Sequence, residues 1–310
     1  MKPAKVICPK RKAPAKQKRA DNLLHKTILS MKNFIIRAIT GAIYVFALVG
    51  CVVWGPQSAF IFFALIAAGC VYEFGTIMNH HDDASVNRPL CAIAAFIFCS
   101  AMWQHQIGYG DYTRMFALYG FTLLYIIISE LYRKAENPIR NWTLAFASQV
   151  FIALPFSLLP LISLHYDVVG NTMQYEWIYT LAIFIFLWTS DTGAYLVGSL
   201  LGRYVPYKLF PRISPKKSWV GSIGGGVFTL LAATVIWHFA GGLSLWHWMG
   251  LALTVCIFGT WGDLVESLIK RQIGIKDSGK ILPGHGGLLD RFDSALMAIP
   301  GAVIYLMLVP

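Results

Sequence analysis

The chain has 310 residues, of which 56% are hydrophobic and only 13% are charged. A soluble domain of this length needs more polar surface, so the composition excludes a soluble globular fold. The formal net charge of +11 is concentrated in residues 1–33, where ten Lys or Arg residues and one Asp give +9. The excess is therefore a basic tail and does not indicate a surface for nucleic acid.

Residues 1–33 are rich in proline, alanine and lysine, a composition typical of a disordered segment. Such a tail could bind anionic lipid headgroups at the cytoplasmic face of a membrane. We prefer the alternative that it is an orientation signal or an upstream extension, since Met31 offers a second start. A signal peptide is not indicated, because no small-residue cleavage site follows a short apolar stretch. Residues 34–310 are expected to form one membrane-embedded domain.

Nine apolar stretches follow the tail, and a helix needs about 20 residues to cross a bilayer core. Because the stretches are continuous, they predict helices, whereas a membrane β-barrel would alternate polar and apolar residues. We therefore expect an all-α, polytopic helical bundle in the membrane. The third stretch is short, and Pro155 and Pro160 predict a bend in the fifth. The predicted spans are 34–54, 58–78, 90–104, 114–131, 142–164, 175–201, 221–240, 245–269 and 290–309.

Basic residues are confined to every second loop between these spans. The loops near 55–57, 105–113, 165–174 and 241–244 contain no Lys or Arg, whereas the loops between them do. Lys and Arg are retained on the cytoplasmic side of a membrane. The alternation predicts an odd number of spans, a cytoplasmic N-terminus and an outer C-terminus.

Several carboxylates lie inside or at the ends of predicted spans, where they cost several kcal/mol unless paired or bound to a cation. They include Asp191, Asp263, Glu266, Asp290 and Asp293. Their spacing within each span puts neighbouring members on one helix face, which indicates a polar, functional interior. The alternative is ion pairing between helices, for example of Glu266 with Lys270. Glu73 and Glu130, near helix ends, are instead interpreted as interfacial charges.

This group has the chemistry of a hard-cation site. Carboxylate oxygens without Cys or clustered His suit Mg²⁺, which takes one or two carboxylates and fills its shell with water and substrate phosphates. The six cysteines have no metal-ligand spacing, so we predict neither disulfides nor a zinc site. The run His80-His81-Asp82-Asp83 looks metal-like, but we interpret it as a solvated loop because no matching ligands are evident.

Two loops combine basic residues with glycines, which lets ammonium groups and backbone N–H groups approach a phosphate together. One is GIKDSGKILPGHGGLLD at 274–290, and the other is LFPRISPKKSWVGSIGGG at 209–226. For Gly221 and Gly225, close helix packing explains the pattern equally well. The residues indicate Mg²⁺-assisted phosphate chemistry at the cytoplasmic headgroup level, without naming a nucleotide or a lipid.

Residues 267–293, SLIKRQIGIKDSGKILPGHGGLLDRFD, resemble the signature of the phosphatidate cytidylyltransferases, or CDP-diacylglycerol synthases. The signature reads S-x-hydrophobic-K-R, four residues, K-D, then P-G-H-G-G and D-R-x-D, and every fixed element is present. The stretches SDTGAYLVGSLLGR and ISPKKSWVGSIGG are also similar to the family. One departure is Val220, where the family usually has Glu. If that Glu assists metal or substrate binding, activity would be weaker here; if it only pairs a loop lysine, little changes.

The resemblance, which covers roughly residues 34–310, implies transfer of CMP from CTP to phosphatidic acid. The products would be CDP-diacylglycerol and pyrophosphate, and the reaction would need Mg²⁺, with a second cation left open. The implied partners are CTP, phosphatidic acid and membrane lipids, and a homodimer is left open. The implied location is the bacterial inner membrane, with the active site facing the cytoplasm.

For this chemistry we expect the following residue roles. Asp263 and Asp290 would hold Mg²⁺, with Asp293 a further ligand or a neighbour of one. Lys270 and Arg271 would neutralise the lipid phosphate or the leaving pyrophosphate. Lys216 and Lys217 would bind the phosphates of CTP. The other residues expected to contact a substrate or its phosphates are Ser214, Lys276, Asp277, His285, Gly286, Gly287 and Asp191. For the residues around His285, shaping the loop is an equal alternative.

Three other functions stay open on the sequence. A different CTP-using membrane enzyme, such as a polyprenol kinase or a CDP-lipid synthase for ether lipids, would have similar needs. An ion-coupled transporter could use nine spans with buried carboxylates, but it gives no reason for basic clusters beside glycines. The third is an inactive scaffold that retains the motif, to which Val220 lends weight.

Overall fold

This computed structural model describes residues 36–81, 84–108, 110–167, 170–205, 207–279 and 286–309. The tail predicted to be disordered lies outside the described residues, as do Asp82, Asp83 and His285. Within these ranges the architecture is an all-α bundle, and nine helical segments are long and apolar enough to cross a membrane. The predicted fold class is therefore confirmed.

The long helices follow the predicted spans closely, and the third is longer than its apolar stretch. Short polar side chains cap several helix starts: Asn87, Asp111 and Asn137 each accept a backbone N–H three residues further on. The helices are α1 (Ile36–Trp54), α2 (Pro56–His81), α3 (Arg88–Ile107), α4 (Tyr112–Arg133), α5 (Pro138–Ser148), α6 (Leu154–Ser157), α7 (Leu159–Ser163), α8 (Trp177–Leu201), α9 (Trp219–Ala240), α10 (Leu245–Gln272), α11 (Leu289–Phe292) and α12 (Ala295–Leu308).

The fifth span is broken into pieces, as its prolines predict. A π-helical turn at Gln149–Ala153 follows α5, and the short α6 and α7 carry Pro155 and Pro160 in their first turns. Proline lacks the backbone N–H that would continue the hydrogen-bond ladder. The ninth span is also divided, because Asp293 and the next residue separate α11 from α12.

Two short antiparallel hairpins, which were not predicted from the sequence, lie in the loops. β1 (Leu164–Asp167) pairs with β2 (Thr172–Tyr175), and β3 (Lys208–Phe210) pairs with β4 (Ser214–Ser218). Helix α9 begins directly after β4, and the side chain of Ser218 accepts the N–H of Gly221 at 3.2 Å. The second hairpin therefore holds its two lysines beside the start of α9.

Helices α8 and α9 pack against each other along a row of glycines. A Cβ atom at Gly221 would lie 2.9 Å from the carbonyl oxygen of Ala194, and one at Gly225 would lie 2.7 Å from that of Ser190. Only glycine permits backbones to approach this closely. The close-packing explanation for these two glycines is confirmed, and the contact keeps Asp191 of α8 near the start of α9.

Phe292 fixes α11 in the core of the bundle. Its ring is buried and makes edge-on contacts, with centroids 5.5 Å apart, to both Tyr44 of α1 and Phe156 of α6. Such pairs contribute roughly 0.5–1.5 kcal/mol beyond the burial of their area. Because Phe292 lies between Asp290 and Asp293 in the chain, this aromatic cluster determines where both carboxylates lie.

Candidate active site

Asp290 lies at the centre of a hydrogen-bonded network between α10 and α11. Its Oδ1 accepts a hydrogen bond from Nζ of Lys270 at 2.8 Å. Its Oδ2 accepts the backbone N–H groups of Ser278 at 2.9 Å and Gly287 at 2.8 Å. The side chain is only 6% exposed. Three donors, one of them charged, hold this carboxylate in a single orientation.

Lys270 is shared between two carboxylates. Its ammonium group pairs with Asp290 and with Glu266, which lies one turn earlier on α10, and all three side chains are largely buried. The helix ion pair considered as an alternative is therefore present. Removing one partner of a buried pair costs about 3–5 kcal/mol. This arrangement favours Lys270 as the support of Asp290, and its contact with a substrate phosphate stays a prediction.

Asp263 connects α10 to the second hairpin. Its Oδ2 forms an ion pair with Nζ of Lys217, and its Oδ1 accepts the hydroxyl of Ser267 at 3.2 Å. The side chains of Lys217 and Asp263 are 27% and 29% exposed, so this pair remains within reach of a ligand.

Asp293 and Asp191 complete the acidic group. Asp293 accepts the backbone N–H of the residue that follows it at 2.6 Å and interacts electrostatically with Asp263. Asp191 interacts electrostatically with Lys217, Asp263 and Arg291. Carboxylates predicted from three separate spans therefore converge at one end of the bundle.

The acidic group fits Mg²⁺ as a site of few protein ligands. Across the described ranges, no three His, Cys, Asp or Glu side chains form a group that could hold a metal ion. Both oxygens of Asp290 accept hydrogen bonds, which favours Asp263 and Asp293 over Asp290 as the first ligands of an ion. The predicted ligand role of Asp290 stays a prediction. Asp293 interacts electrostatically with Asp263, and a divalent cation between two carboxylates offsets their negative charge. Mg²⁺ with one or two carboxylates, water and phosphate suits these two residues.

Two pockets meet at Asp191. The first, which we call the basic pocket, has a volume of about 380 Å³ and lies where α8 meets β4 and α9. It is lined by Asp191, Tyr195, Lys216, Lys217, Ser218 and Gly221, among others. The predicted pair of lysines therefore shares one cavity with a carboxylate from α8.

The second pocket, which we call the aromatic pocket, has a volume of about 320 Å³ and lies between α1, α8 and α11. It is lined by Tyr44, Phe184, Trp188, Asp191, Asp290, Arg291 and Asp293, among others. One wall is therefore apolar and the other is charged.

Other predicted site residues line neither pocket. Arg271 is exposed, and its Nη1 donates to the carbonyl oxygen of Ile275 at 3.1 Å. Lys276 and Asp277 are exposed, and Ser214 is half-buried in β4. Their contacts with a nucleotide or a lipid stay predictions.

Two glycines of the signature shape the loop around Asp290. Gly286 has φ +85°, a conformation that favours glycine, and a Cβ atom there would lie 2.6 Å from Oδ2 of Asp290. Gly287 donates its N–H to the same oxygen. Val220, the departure from the family pattern, is half-buried and lines neither pocket, although Ser218 and Gly221 on either side line the basic one.

The interpretation of Glu73 and Glu130 as interfacial charges is wrong, since both side chains are buried. Glu130 accepts hydrogen bonds from Asn141 and Arg133. Glu73 contacts the loop that leads to Asp290. The sequence feature that could have indicated their burial is a carboxylate inside an apolar run. Arg291 of the D-R-x-D element had no predicted role, although it lines the aromatic pocket.

Comparisons with known proteins identify relatives of this chain. Residues 35–309 match the model of the Cytidylyltransferase family. Over 123 residues the chain is 46% identical to the phosphatidate cytidylyltransferase of Staphylococcus aureus (strain COL) and 47% identical to that of Staphylococcus haemolyticus (strain JCSC1435). Each of these alignments covers 39% of this chain and 46% of the relative, so the chain spans about half the length of the curated relatives it matches.

Proposed function

The chain belongs to the cytidylyltransferase family, and we propose that it transfers CMP from CTP to phosphatidate, yielding CDP-diacylglycerol and pyrophosphate. The observation that carries the proposal is the meeting of the basic and the aromatic pocket at Asp191. Two adjoining pockets, one basic and one with an apolar wall, suit a reaction between a water-soluble polyanion and a membrane lipid. The relatives named phosphatidate cytidylyltransferase support the choice of substrates.

The basic pocket suits the triphosphate of CTP. Lys216 and Lys217 supply charge, and the hydroxyl of Ser218 lies on the same wall at the start of the 22-residue helix α9. Ammonium groups and the positive end of a helix dipole both favour phosphate. Because Lys217 is paired with Asp263, binding of the triphosphate would draw part of that ammonium group's hydrogen bonding away from the carboxylate.

The aromatic pocket suits the headgroup of phosphatidate. Arg291 supplies a cation there, and Tyr44 and Trp188 supply an apolar wall from α1 and α8. Helix α1 lies at the edge of the bundle, and few of its residues are buried. A lipid could therefore approach beside α1 and bring its phosphate to Arg291 while its acyl chains remain in the bilayer.

In the proposed reaction, an oxygen of the lipid phosphate attacks the α-phosphorus of CTP. As the new P–O bond forms, the bond from the α-phosphorus to the bridging oxygen breaks, and pyrophosphate leaves with that electron pair. A phosphate monoester has a second pKa of about 6, so the nucleophile is mostly dianionic at pH 7 and needs no strong base. The protein's contribution is to neutralise and align two anions, with Lys216 and Lys217 on the nucleotide and Arg291 on the lipid.

Asp263 and Asp293 would hold Mg²⁺, with Asp191 beside them. When bound, the ion supplies additional neutralisation of phosphate charge. The remaining charged residues have supporting roles: Lys270 orients Asp290, and Glu266 in turn holds Lys270. We further propose that this end of the bundle faces the cytoplasm at a bacterial inner membrane, where CTP is available.

The experiment that tests this function supplies the purified protein with Mg²⁺, phosphatidate in mixed micelles and CTP labelled at the α-phosphate. The expected product is a labelled lipid that co-migrates with CDP-diacylglycerol, with an equal amount of pyrophosphate released. Label left in CDP would identify a kinase. Activity with an ether lipid but not with phosphatidate would reassign the acceptor.

A pair of Asp variants sharpens the assay. Asp293→Asn is expected to reduce the rate about 100-fold or more, because it removes a charge from the proposed ion site. Asp111→Asn is the matched control: Asp111 caps α4, pairs with Arg114 and lines neither pocket, so its rate should stay within about twofold. An equal loss of activity in both variants would mean that the loss in Asp293→Asn does not come from the proposed ion site.

A further inference from the structure

Glu73 of α2 is buried, at 4% exposure, against the loop that leads into α11 and Asp290. Its Oε1 accepts the hydroxyl of Ser278 and the backbone N–H of Leu289, the latter at 3.3 Å. Its Oε2 accepts the backbone N–H of Leu288 at 2.8 Å. Three donors from a segment more than 200 residues away in sequence thus converge on this one carboxylate.

The groups that bind Glu73 are adjacent to those that bind Asp290. Ser278 gives its hydroxyl to Glu73 and its backbone N–H to Asp290, 2.9 Å away. Gly287 donates to Asp290, and the next residue, Leu288, donates to Glu73. The two carboxylates therefore bind the same two short pieces of backbone.

Two glycines of the loop, Gly279 and Gly287, leave room for the carboxylate of Glu73. A Cβ atom at Gly279 would lie 3.0 Å from Cδ of Glu73, and one at Gly287 would overlap its carboxylate. Side chains at these positions would push the loop away from α2. The glycines admit the carboxylate, and the carboxylate satisfies the N–H groups that the close approach would otherwise leave buried and unpaired.

We propose that Glu73 is a positioning residue of the cytidylyltransferase reaction, which holds the segment 286–289 so that Asp290 and its neighbours keep their place in the wall of the aromatic pocket. The inference rests on the proposed function for its effect on rate. Glu73 contacts no residue of the basic pocket in this network, so its loss should lower kcat and leave KM for CTP nearly unchanged. A displacement of about 1 Å of a catalytic group can lower a rate about 100-fold.

Glu73→Gln is the informative variant because it keeps the size of the side chain. An amide nitrogen cannot accept a hydrogen bond, so at least one of the three donors loses its acceptor. Glu130→Gln is the matched control, since Glu130 is equally buried near a helix end and accepts hydrogen bonds from Asn141 and Arg133, away from the site. We expect kcat to fall about 10- to 100-fold in Glu73→Gln and to stay within about twofold in Glu130→Gln.

A second measurement does not depend on activity. Hydrogen exchange of the amides at 287–289 should be faster in Glu73→Gln than in the unmodified protein, and unchanged in Glu130→Gln. Unchanged protection of these amides in Glu73→Gln, or an equal fall of kcat in both variants, would overturn the proposal. If the unmodified protein makes no CDP-diacylglycerol, the proposed function fails, and the exchange data alone still decide whether Glu73 positions the loop.

A double-mutant cycle tests the coupling through Ser278. Ser278→Ala removes the hydroxyl that Glu73 accepts and keeps the N–H that Asp290 accepts. The loss of kcat in the double variant should be smaller than the product of the two single losses, because both changes break one shared contact. Fully multiplicative losses would mean that the two residues act independently.

Discussion

Lys217 is the residue whose surroundings best define a nucleotide contact. It lines the basic pocket and is held there by Asp263, with about a quarter of its side chain exposed. An ammonium group has three donors, so a partner on one side leaves others for a phosphate. Lys208, on the opposite strand of the same hairpin, is exposed and lines neither pocket.

Lys217→Met should lower kcat/KM for CTP about 10- to 100-fold, because a hydrogen bond to a charged group is worth roughly 1.5–3 kcal/mol. Lys208→Met should stay within about twofold. Initial rates of pyrophosphate release over a range of CTP concentrations measure both. Equal losses in the two variants would remove Lys217 from the nucleotide site.

For single residues, the sequence predicted which side chains belong to the site better than it predicted which side chains they pair with. The carboxylates of α10 and α11 were found because charge is rare in an apolar span and their spacing puts them on one helix face. The pair of Glu266 with Lys270 lies within α10 and was named from its spacing. The pairs of Asp263 with Lys217 and of Asp290 with Lys270 could not be predicted in the same way, since they depend on how distant segments pack. Glu73 was misread for this reason: its partners lie on a loop that no local pattern connects with α2.

Among the helices, the contact between α8 and α9 determines the shape of the basic pocket. Gly225 of α9 lies against the carbonyl oxygen of Ser190, one residue before Asp191. Gly226, the next residue, has no atom within 4 Å of the place where a Cβ would be. The two glycines are adjacent in α9, but an added methyl group would clash at Gly225 and would meet open space at Gly226.

Gly225→Ala should lower the melting temperature of the purified protein by several degrees and reduce its activity, because the two backbones must separate to admit a methyl group. Gly226→Ala should leave the melting temperature unchanged or raise it slightly, since alanine favours a helix by about 1 kcal/mol over glycine. Thermal unfolding in detergent measures both. Similar melting temperatures for the two variants would contradict the close contact between α8 and α9.

The helices themselves could be predicted almost entirely from the sequence. Apolar length located all nine spans, and the prolines located the break that separates α6 and α7 from α5. The hairpin β3–β4 was not predicted, because its strands of three and five residues carry Lys, Pro and Ser and not the apolar alternation that indicates a strand. This short hairpin nevertheless carries Lys216 and Lys217.

Across the whole molecule, the candidate site shares one end of the bundle with loops predicted to be cytoplasmic. Ser85, between α2 and α3, donates its N–H to Asn141 at 2.8 Å and accepts a hydrogen bond from Arg133 at 2.7 Å. The α2–α3 and α4–α5 connections therefore lie together. Glu73, in the second half of α2, ties the same end to the loop after α10. The basic loops and the two pockets should then face the same compartment.

Reporter fusions test this orientation. Alkaline phosphatase inserted after Asn171, at the tip of the hairpin β1–β2, should be active, because the loop at 165–174 carries no Lys or Arg and is predicted to lie outside. The same reporter inserted after Glu136 should be inactive, since Arg133, Lys134 and Arg140 retain that loop inside. Green fluorescent protein at the two positions should give the opposite pattern. An active phosphatase after Glu136 would place both pockets on the side that lacks CTP, and the proposed reaction could not occur there.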